Sequence, residues 1–316
     1  MHAVVTGGAG FIGSHLTEEL MRRGRQVTVL DDLSNGNRSN LASVASKITI
    51  VERDISRPYA ELFEDTKVDE LYSLACYPRQ ISFQNPRRDC EVNLIGTING
   101  LDLARKKGAK MVYASNTGIV SNPKTVPVDE TFSPNPLTPY DTHKLASEYL
   151  LRVYSKVHNI RSIVLRFATV YGPRQRVNEK LGWRPVIPEF ASKLLRGMSP
   201  TIDGDGAQTR DFIFVKDIVS GVISAMESNS DEGDFFILGT NSETSIMDLY
   251  RMISETLGVR IVPSHGPRKP EEIARMRYDY SKACNRFGWT PKTTLAEGLR
   301  QTIEDLKHDY QNMKLS

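Results

Sequence analysis

The 316-residue sequence contains only three cysteines, which are Cys76, Cys90 and Cys284. They are scattered along the chain, and no two of them form a Cys-x-x-Cys pair. An odd, widely spaced set excludes a disulfide framework and argues against a zinc site. Thiols of this kind are typical of the reducing cytosol, so we expect a cytoplasmic protein without a bound metal.

The sequence also lacks long runs of one residue class. Neither terminal region carries an apolar run as long as a signal peptide or a membrane helix requires. The 41 basic and 38 acidic residues give a net charge of +3 and are interspersed, without the charge runs that mark nucleic-acid or membrane binding. We therefore expect neither a nucleic acid nor a membrane as partner.

A glycine turn follows directly after the first predicted strand, at 4–6. Gly7, Gly10 and Gly13 have the spacing of a dinucleotide-binding turn. The first glycine allows the tight turn, the second lets the backbone approach a pyrophosphate, and the third lets the next helix pack against the sheet. The unpaired amides and the dipole of that helix attract the phosphates.

The residues after this turn support the same interpretation. A helix is predicted at 14–23 and a second strand at 26–30, which ends on Asp31 and Asp32. Asp31 lies eighteen residues after Gly13, where an acidic side chain accepts hydrogen bonds from the ribose and repels a 2′-phosphate. The sequence therefore predicts an NAD site, with NAD favoured over NADP.

Short β-branched runs alternate with helix-length segments through the first half of the chain. This alternation predicts an α/β fold with a doubly wound parallel (Rossmann) sheet and a smaller C-terminal α/β lobe. We place the NAD-binding domain at 1–171 and the mainly substrate-binding lobe at 172–316, with some chain crossing back to the sheet around 211–238. Further strands are predicted at 48–51, 70–74, 110–114 and 162–166, and long amphipathic helices at 92–107 and 140–158.

A tyrosine and a lysine, Tyr140 and Lys144, stand four residues apart at the start of the second long helix and so share one helical face. An ammonium beside a phenol favours the phenolate, and the positive nicotinamide of NAD adds to this effect. Tyr140 thereby becomes a usable base near neutral pH. A hydroxyl from Thr117, after the strand at 110–114, is expected to hold the substrate oxygen in line.

Together these motifs give the chain a resemblance to a known family. The sequence resembles the extended short-chain dehydrogenases/reductases that act as nucleotide-sugar epimerases and dehydratases. The resemblance implies that Tyr140 and Lys144 are the catalytic pair and that Thr117 occupies the family's Ser/Thr position. The matching stretches are 6–16, 29–41, 54–55, 74–75, 93–97, 139–148, 165–175, 204–214 and 287–298.

The same resemblance implies a set of cofactor-binding residues beyond the three glycines. They come from the loops that follow successive strands and would line the phosphates, the ribose, the adenine and the middle of NAD. Tyr140 and Lys144 complete the set at the nicotinamide. The implied residues are Phe11, Ile12, Asp31, Asp32, Ser34, Asn35, Gly36, Asp54, Ile55, Ala75 and Asn93.

The two residues after Thr117 bear on the type of reaction. The family's dehydratases have an Asp-Glu pair there and its decarboxylases a glutamate, whereas this chain has Gly118 and Ile119. Since neither can transfer a proton, the resemblance implies a 4-epimerase that oxidises C4 of a UDP-hexose or UDP-hexuronate with tightly held NAD. A decarboxylase or another enzyme dependent on C4 oxidation is the alternative.

A catalytically idle NAD-binding sensor or scaffold is the alternative from a different class of protein. The presence of Thr117, Tyr140 and Lys144 together argues against it, because a binding module needs no such set. The two long helices could also build a subunit interface, so we expect a homodimer.

The substrate lobe carries several basic residues that match the family. Arg210, together with Arg268 or Lys269, matches positions that hold the nucleotide diphosphate, a task that suits a guanidinium fork. The run 169–176 resembles UDP-glucuronate 4-epimerases, which implies that Thr169 faces the sugar and Arg176 its carboxylate.

Asp203 departs from the family pattern, because an aromatic that stacks on uracil usually stands there. The nucleotide base is therefore left open. Trp183, within the unusual segment 180–185, could supply the missing stacking surface or belong to a lid.

Overall fold

Seven parallel strands form one central sheet, and helices cover both of its faces. The computed structural model describes residues 1–230, 232–268 and 273–315. The strands are β1 (His2–Thr6), β2 (Gln26–Asp31), β3 (Thr49–Glu52), β4 (Glu70–Ser73), β5 (Lys110–Asn116), β6 (Ser162–Phe167), β7 (Thr169–Tyr171), β8 (Thr201–Asp203), β9 (Thr209–Arg210), β10 (Phe212–Phe214), β11 (Glu232–Leu238), β12 (Thr244–Ser245) and β13 (Ser264–Gly266). The α-helices are α1 (Phe11–Arg22), α2 (Pro86–Cys90), α3 (Gly96–Lys107), α4 (Pro139–His158), α5 (Val186–Leu195), α6 (Val215–Glu227), α7 (Ile246–Leu257), α8 (Ser281–Phe287) and α9 (Leu295–Leu315).

The order of the strands in the sheet is β11, β6, β5, β4, β1, β2, β3, and every neighbouring pair is parallel. The chain builds outward from β1 through β2 to β3 and then returns to β4 on the other side of β1. A crevice therefore opens beyond the carboxyl ends of β1 and β4, where such sheets bind ligands. The predicted doubly wound α/β fold is confirmed.

Two separate apolar cores lie on the two faces of this sheet. Helices α1 and α6 enclose one core, which includes Leu16 and Ile218, and helices α3 and α4 enclose the other, which includes Leu101 and Leu151. Strand β11 pairs with β6 at the edge of the sheet, although it follows residues of the smaller lobe. The chain thus crosses back to the sheet through α6 and β11.

The smaller lobe is built from α5, α7 and α9, which pack against one another and against the β7–β10 pair. Its core contains Phe190, Phe214, Leu249 and Leu299. Two further short pairs, β9 with β12 and β8 with β13, lie at its margin. Among the described helices, none combines the length and the apolar character needed to cross a membrane.

Helix α4 starts where its sequence places a capping residue. The hydroxyl of Thr138 accepts a hydrogen bond from the Asp141 amide, and Pro139 occupies the first helical position. The helix ends at Asn159, which adopts a left-handed conformation with a φ of 54°. This cap fixes the first turn of α4, which carries Tyr140. Lys144 follows one turn later on the same face of the helix.

The predicted helix at 92–107 is interrupted. A π-helical turn spans Glu91–Ile95 and precedes α3. Within that turn the Asn93 side chain accepts a hydrogen bond from the Tyr77 amide at 3.1 Å and donates to the Tyr77 carbonyl at 3.2 Å. Such turns often accompany functional sites, and here one anchors the loop that follows β4.

A buried ion pair links α4 to the sheet. The Arg166 guanidinium on β6 donates to the Glu148 carboxylate at 2.7 Å, and both side chains are only 3% exposed. Ser115 on β5 also donates to Glu148 at 2.6 Å. Because the carboxylate satisfies donors from two strands, its loss leaves a buried cation without compensation.

We predict that Glu148→Gln lowers the free energy of unfolding by about 3 to 5 kcal/mol, since breaking one side of a buried pair exposes the full desolvation cost of the other. Urea denaturation measures this change. Glu52→Gln is the control, because the Arg38–Glu52 pair has side chains that are 54% and 60% exposed and should contribute about 0 to 1 kcal/mol. Equal losses in the two variants would contradict the prediction.

Candidate active site

The glycine turn lies between β1 and α1, at the crevice in the sheet. Gly7 adopts a φ of +71°, and a Cβ atom there would lie 2.7 Å from the Ala75 backbone nitrogen. A Cβ at Gly13 would lie 2.1 Å from the Gly7 carbonyl oxygen. The amide of Gly10, the N-cap of α1, donates to that same carbonyl at 3.0 Å. The backbone therefore has room for glycine only, and the helix start faces the crevice.

A cavity of about 300 Å³ opens beyond the carboxyl ends of β1 to β4. The structure brings many of the predicted cofactor residues to its wall, namely Gly7, Asp31, Asp32, Ser34, Asn35, Asp54, Ile55 and Ala75. The wall residues outside the predicted cofactor set are Arg53, Cys76, Tyr77, Pro78, Asn85, Arg88, Val92 and Leu181. We call this space the cofactor cavity.

The remaining predicted cofactor residues lie around this cavity and do not line it. Phe11 and Ile12 pack against the core of the smaller lobe. Gly36 lies behind Asp31, where a Cβ atom would come within 2.7 Å of the carboxylate. Asn93 holds the Tyr77 backbone, as described above, and also donates to Asp89 at 3.0 Å.

The Asp31 carboxylate is held by backbone amides at the end of β2. It accepts hydrogen bonds from the Ala9 amide and the Leu33 amide, both at 2.9 Å. Burial raises the pKa of Asp31, and these hydrogen bonds act in the opposite direction. Arg88, which sequence reasoning missed, contacts Asp54 at 2.9 Å and Asp32 at 3.4 Å across the same cavity.

Tyr140 and Lys144 lie together where α4 meets the ends of β4 and β5. The Lys144 ammonium lies 5.7 Å from the centroid of the Tyr140 ring and donates to the Ala114 carbonyl at 2.8 Å. Tyr140 also hydrogen-bonds to Cys76, in the wall of the cofactor cavity. Burial raises the pKa of the Tyr140 phenol well above its ordinary value, opposite to the direction expected from Lys144 together with NAD.

Thr117 follows β5 and is buried beside β6. Its hydroxyl donates to the Phe167 carbonyl at 3.2 Å and hydrogen-bonds with the Tyr278 hydroxyl. Burial raises the pKa of Tyr278 to about 12. Tyr278 comes from far along the chain, and nothing in the local sequence marks it as a neighbour of Thr117.

His143 belongs to a separate, structural pair. Its Nδ1 atom lies 2.5 Å from an oxygen of Asp89, the same carboxylate that accepts from Asn93. Within the described ranges, no group of three His, Cys, Asp or Glu side chains is placed to hold a metal ion.

A second cavity, of about 650 Å³, lies between the sheet and the smaller lobe. Thr169, Asp203 and Arg210 line it, as does Trp183, and so does Arg79 from the loop after β4. We call it the substrate cavity. Tyr140 lies beside residues of both spaces: Cys76, which interacts with it, lines the cofactor cavity, and Thr138, two residues before it, lines the substrate cavity.

Arg176 and Arg268 do not reach the substrate cavity. The Arg176 guanidinium lies 2.6 Å from Asp305 and 2.5 Å from Asp309, both on α9. Arg268 is exposed beside Gly204. Lys269 lies outside the described residues. Of the predicted substrate-binding basic residues, Arg210 lines the substrate cavity. Its Nη1 atom donates to the Ile273 carbonyl at 2.8 Å.

The segment that contains Trp183 bridges the two cavities. Asn178 and Trp183 pair through two backbone hydrogen bonds. The Asn178 side chain donates to Asn35 at 2.9 Å, and Gln80 exchanges hydrogen bonds with the Arg184 backbone. We call residues 178–184 the bridging segment.

The family model for the NAD dependent epimerase/dehydratase family matches residues 3–239. The chain belongs to this family. A relative in the family, the UDP-glucose 4-epimerase of Mycolicibacterium smegmatis, is 34% identical over 98% of this chain and 100% of its own length. UDP-glucuronic acid decarboxylase 1 of Arabidopsis thaliana is 30% identical over 99% of this chain and 71% of its own length.

Solved structures of family members show the same fold. The UDP-glucose 4-epimerase of Thermotoga maritima, solved with UDP-glucose, superposes with a TM-score of 0.91 at 32% identity, over 98% of this chain and 100% of that one. The UDP-glucuronic acid 4-epimerase of Bacillus cereus, solved with UDP-glucuronic acid and NAD, gives 0.90 at 29% identity, over 98% and 100%. The cofactor of this epimerase/dehydratase family member is NAD.

The residues of this family member fit NAD. The glycine turn leaves no space for a Cβ atom where the pyrophosphate approaches α1, and Asp31 is fixed beside the ribose position. Bound NAD supplies a nicotinamide that accepts a hydride. The chain supplies the wall that orients it, with Cys76 and Tyr140 at the end of the cavity.

We predict that Asp31→Ser lowers the ratio of the NADP Kd to the NAD Kd about tenfold or more, because removing the carboxylate removes a like-charge repulsion of a 2′-phosphate. Calorimetric titration of nucleotide-free protein measures both constants. Glu52→Gln removes the same charge from the neighbouring strand β3, where Glu52 is in register with Asp31 but its side chain is 60% exposed and paired with Arg38, and should leave the ratio unchanged. A ratio unaffected by Asp31→Ser would reject this role.

Proposed function

We propose that this enzyme is a nucleotide-sugar 4-epimerase that acts on a UDP-hexose or UDP-hexuronate through transient oxidation at C4. The observation that carries the proposal is the composition of the site between the two cavities. It holds Thr117, Tyr140 and Lys144, and the neighbouring carboxylate, Asp141, is engaged by Arg79. These residues can deprotonate and reprotonate a hydroxyl, whereas they provide no second acid and base for an elimination.

Each of the three residues has a separate task in this chemistry. The Tyr140 phenolate removes the proton from the sugar 4-hydroxyl as the C4 hydride leaves, and the phenol returns it afterwards. Lys144, fixed by the Ala114 carbonyl, stabilises the phenolate by charge. The Thr117 hydroxyl holds the sugar oxygen beside the phenol. Because burial raises the pKa of Tyr140, this positive neighbour is essential to its use as a base.

Inversion at C4 requires that the oxidised sugar present its opposite face before the hydride returns. The substrate cavity, about 650 Å³ in volume, supports such a turn. Arg210 lines the wall on the smaller lobe, where a guanidinium would hold the nucleotide diphosphate while the sugar reorients.

Decarboxylation is the alternative that the Arabidopsis relative favours. The decarboxylases of the resembled family carry a glutamate within the two residues that follow the threonine, where this chain has Gly118 and Ile119. In this chain a Cβ atom at Gly118 would lie 2.6 Å from the Asn116 side-chain oxygen and 2.9 Å from an Asp141 oxygen. The side chains of Asn116 and Asp141 therefore fill the space beside Gly118. Neither Gly118 nor Ile119 can transfer a proton, and the absence of a carboxylate at these two positions supports epimerisation.

We predict that purified protein interconverts UDP-glucose and UDP-galactose without added NAD, or epimerises UDP-glucuronate at C4. Product analysis by chromatography and NMR on a panel of UDP, dTDP, CDP and GDP sugars tests this. A pentose product would identify a decarboxylase instead. Binding of NAD without turnover of any sugar would identify an idle binding protein.

The matched variant in this experiment is Tyr140→Phe. It should retain NAD and lower turnover roughly a hundredfold or more, the size of a general acid-base contribution. Tyr154→Phe is the control on the same helix, because that ring packs against His158 away from the site. Near-normal turnover in Tyr140→Phe would remove this residue from the mechanism.

We also propose that the protein is a homodimer through α3 and α4. An apolar stripe recurs at every fourth residue along α4, with Tyr149 53%, Val153 52% and Val157 66% exposed. A second copy of the same helix pair would cover this stripe and its counterpart by two-fold symmetry. Such continuous exposed apolar surface is typical of an association site.

We predict that Val153→Glu converts a dimer to a monomer at micromolar concentration, since a charge in an apolar interface is left without a partner. Sedimentation velocity measures the association state. Met198→Glu is the control, because Met198 is equally apolar and 50% exposed but lies after α5. A wild-type monomer, or a dimer unaffected by Val153→Glu, would refute this interface.

A further inference from the structure

An arginine–aspartate pair lies at the first turn of α4, where the aspartate follows the proposed catalytic tyrosine in sequence, and its arginine lines the substrate cavity. The Arg79 guanidinium donates to Asp141 through Nε at 3.0 and 3.1 Å and through Nη2 at 2.9 Å. Asp141 is fully buried, whereas the Arg79 side chain is 32% exposed. Asp141 follows Tyr140 directly in the first turn of α4, so the pair is fixed to the same helix as the phenol.

This pair occupies the space beside Gly118. An added Cβ at Gly118 would meet Asp141 at 2.9 Å and the Nε of Arg79 at 3.4 Å. The position at which related enzymes place an acidic side chain is therefore filled from two other parts of the chain. The group that lies beside Gly118 is thus a guanidinium paired with Asp141.

The orientation of Arg79 leaves part of its donor fork available. Nε and Nη2 serve Asp141, and none of the hydrogen bonds recorded for the described residues uses Nη1. The side chain also lines the substrate cavity. A guanidinium held on one edge by a buried carboxylate loses little freedom when its other edge binds an anion, and an ionised acceptor gives the stronger hydrogen bond.

Arg79 differs from the other charged groups of the cavity wall in its location. Glu189 lies on α5 and contacts Lys193 at 2.9 Å and Arg184 at 3.4 Å. Arg210 lies on β9 in the smaller lobe. Arg79 is the charged residue of the wall that contacts the first turn of α4, next to Tyr140.

We propose that Arg79, positioned by Asp141, binds a carboxylate on the sugar ring and selects a nucleotide hexuronate over the neutral hexose. This inference rests on the proposed epimerase function and names its substrate class. It assigns to Arg79 the contact that the sequence resemblance implied for Arg176, whose guanidinium is instead engaged by two carboxylates of α9.

Two substrates and three variants test the proposal. UDP-glucuronate and UDP-glucose are compared on wild type, Arg79→Gln and Arg79→Lys, with Arg176→Gln as the matched control. We expect Arg79→Gln to lower kcat/KM for UDP-glucuronate at least about tenfold more than for UDP-glucose, because both reactions lose the ion pair with the buried Asp141 and only the uronate also loses a charged contact. Arg79→Lys keeps the charge without the fork and should fall between. Arg176→Gln should affect both sugars alike.

Equal losses for the two sugars in Arg79→Gln would overturn the proposal, because they would show that the pair only holds the loop after β4. Absence of wild-type turnover of UDP-glucuronate beside active epimerisation of UDP-glucose would overturn it while leaving the epimerase function intact.

A binding measurement separates this proposal from the proposed function. The Kd values of both UDP-sugars are measured by calorimetry in the Tyr140→Phe background with and without Arg79→Gln. We expect Arg79→Gln to weaken UDP-glucuronate selectively, whatever product the enzyme makes. Selective weakening together with a pentose product would reject the epimerase and retain the role of Arg79, and unselective weakening would reject that role.

Discussion

The close approach of β1 and β4 is the constraint on which both cavities depend. Gly7 follows the end of β1 and lies so near to the Ala75 backbone that a Cβ atom on Gly7 would push the two segments apart. This contact sets the crevice and brings the loop after β4 over it, so that Cys76 lines the cofactor cavity and Arg79 lines the substrate cavity. The crevice forms between β1 and β4, where the order of the strands in the sheet changes direction. Because Gly7 has no side chain, the backbone can close around the base of the crevice.

The start of α4 then converts this crevice into a reactive site. Three polar residues within two turns have different partners: Tyr140 meets Cys76, Asp141 meets Arg79, and Lys144 meets the Ala114 carbonyl. The cap at Thr138 fixes the turn that bears the first two. Buried charge is satisfied at every one of these points, which explains how so polar a group of side chains lies next to two apolar cores.

Most of the site residues that the sequence predicts correctly are indicated by their local spacing. The glycine turn, Asp31 and the Tyr140–Lys144 pair follow from the periods of one strand and one helix, so their positions were predictable without knowledge of packing. Arg88 and Tyr278 reach the site from distant segments, and nothing in their own neighbourhood indicates this. Arg79 follows β4 in the same loop as Ala75, so its proximity to the site was predictable, whereas its ion pair with Asp141 depends on packing. The carboxylates that pair with Arg176 lie more than a hundred residues away on α9. The motif around Arg176 therefore indicated a guanidinium that binds an anion, but not the direction in which its side chain points.

The bridging segment gives the two cavities a shared wall. Asn178 is hydrogen-bonded to a loop of the cofactor cavity and the Arg184 backbone to a loop of the substrate cavity, with only five residues between them. Leu181 and Trp183, on one short hairpin, face the two different spaces. Displacing this hairpin would therefore break contacts with both loops, so the walls of the two cavities are structurally coupled.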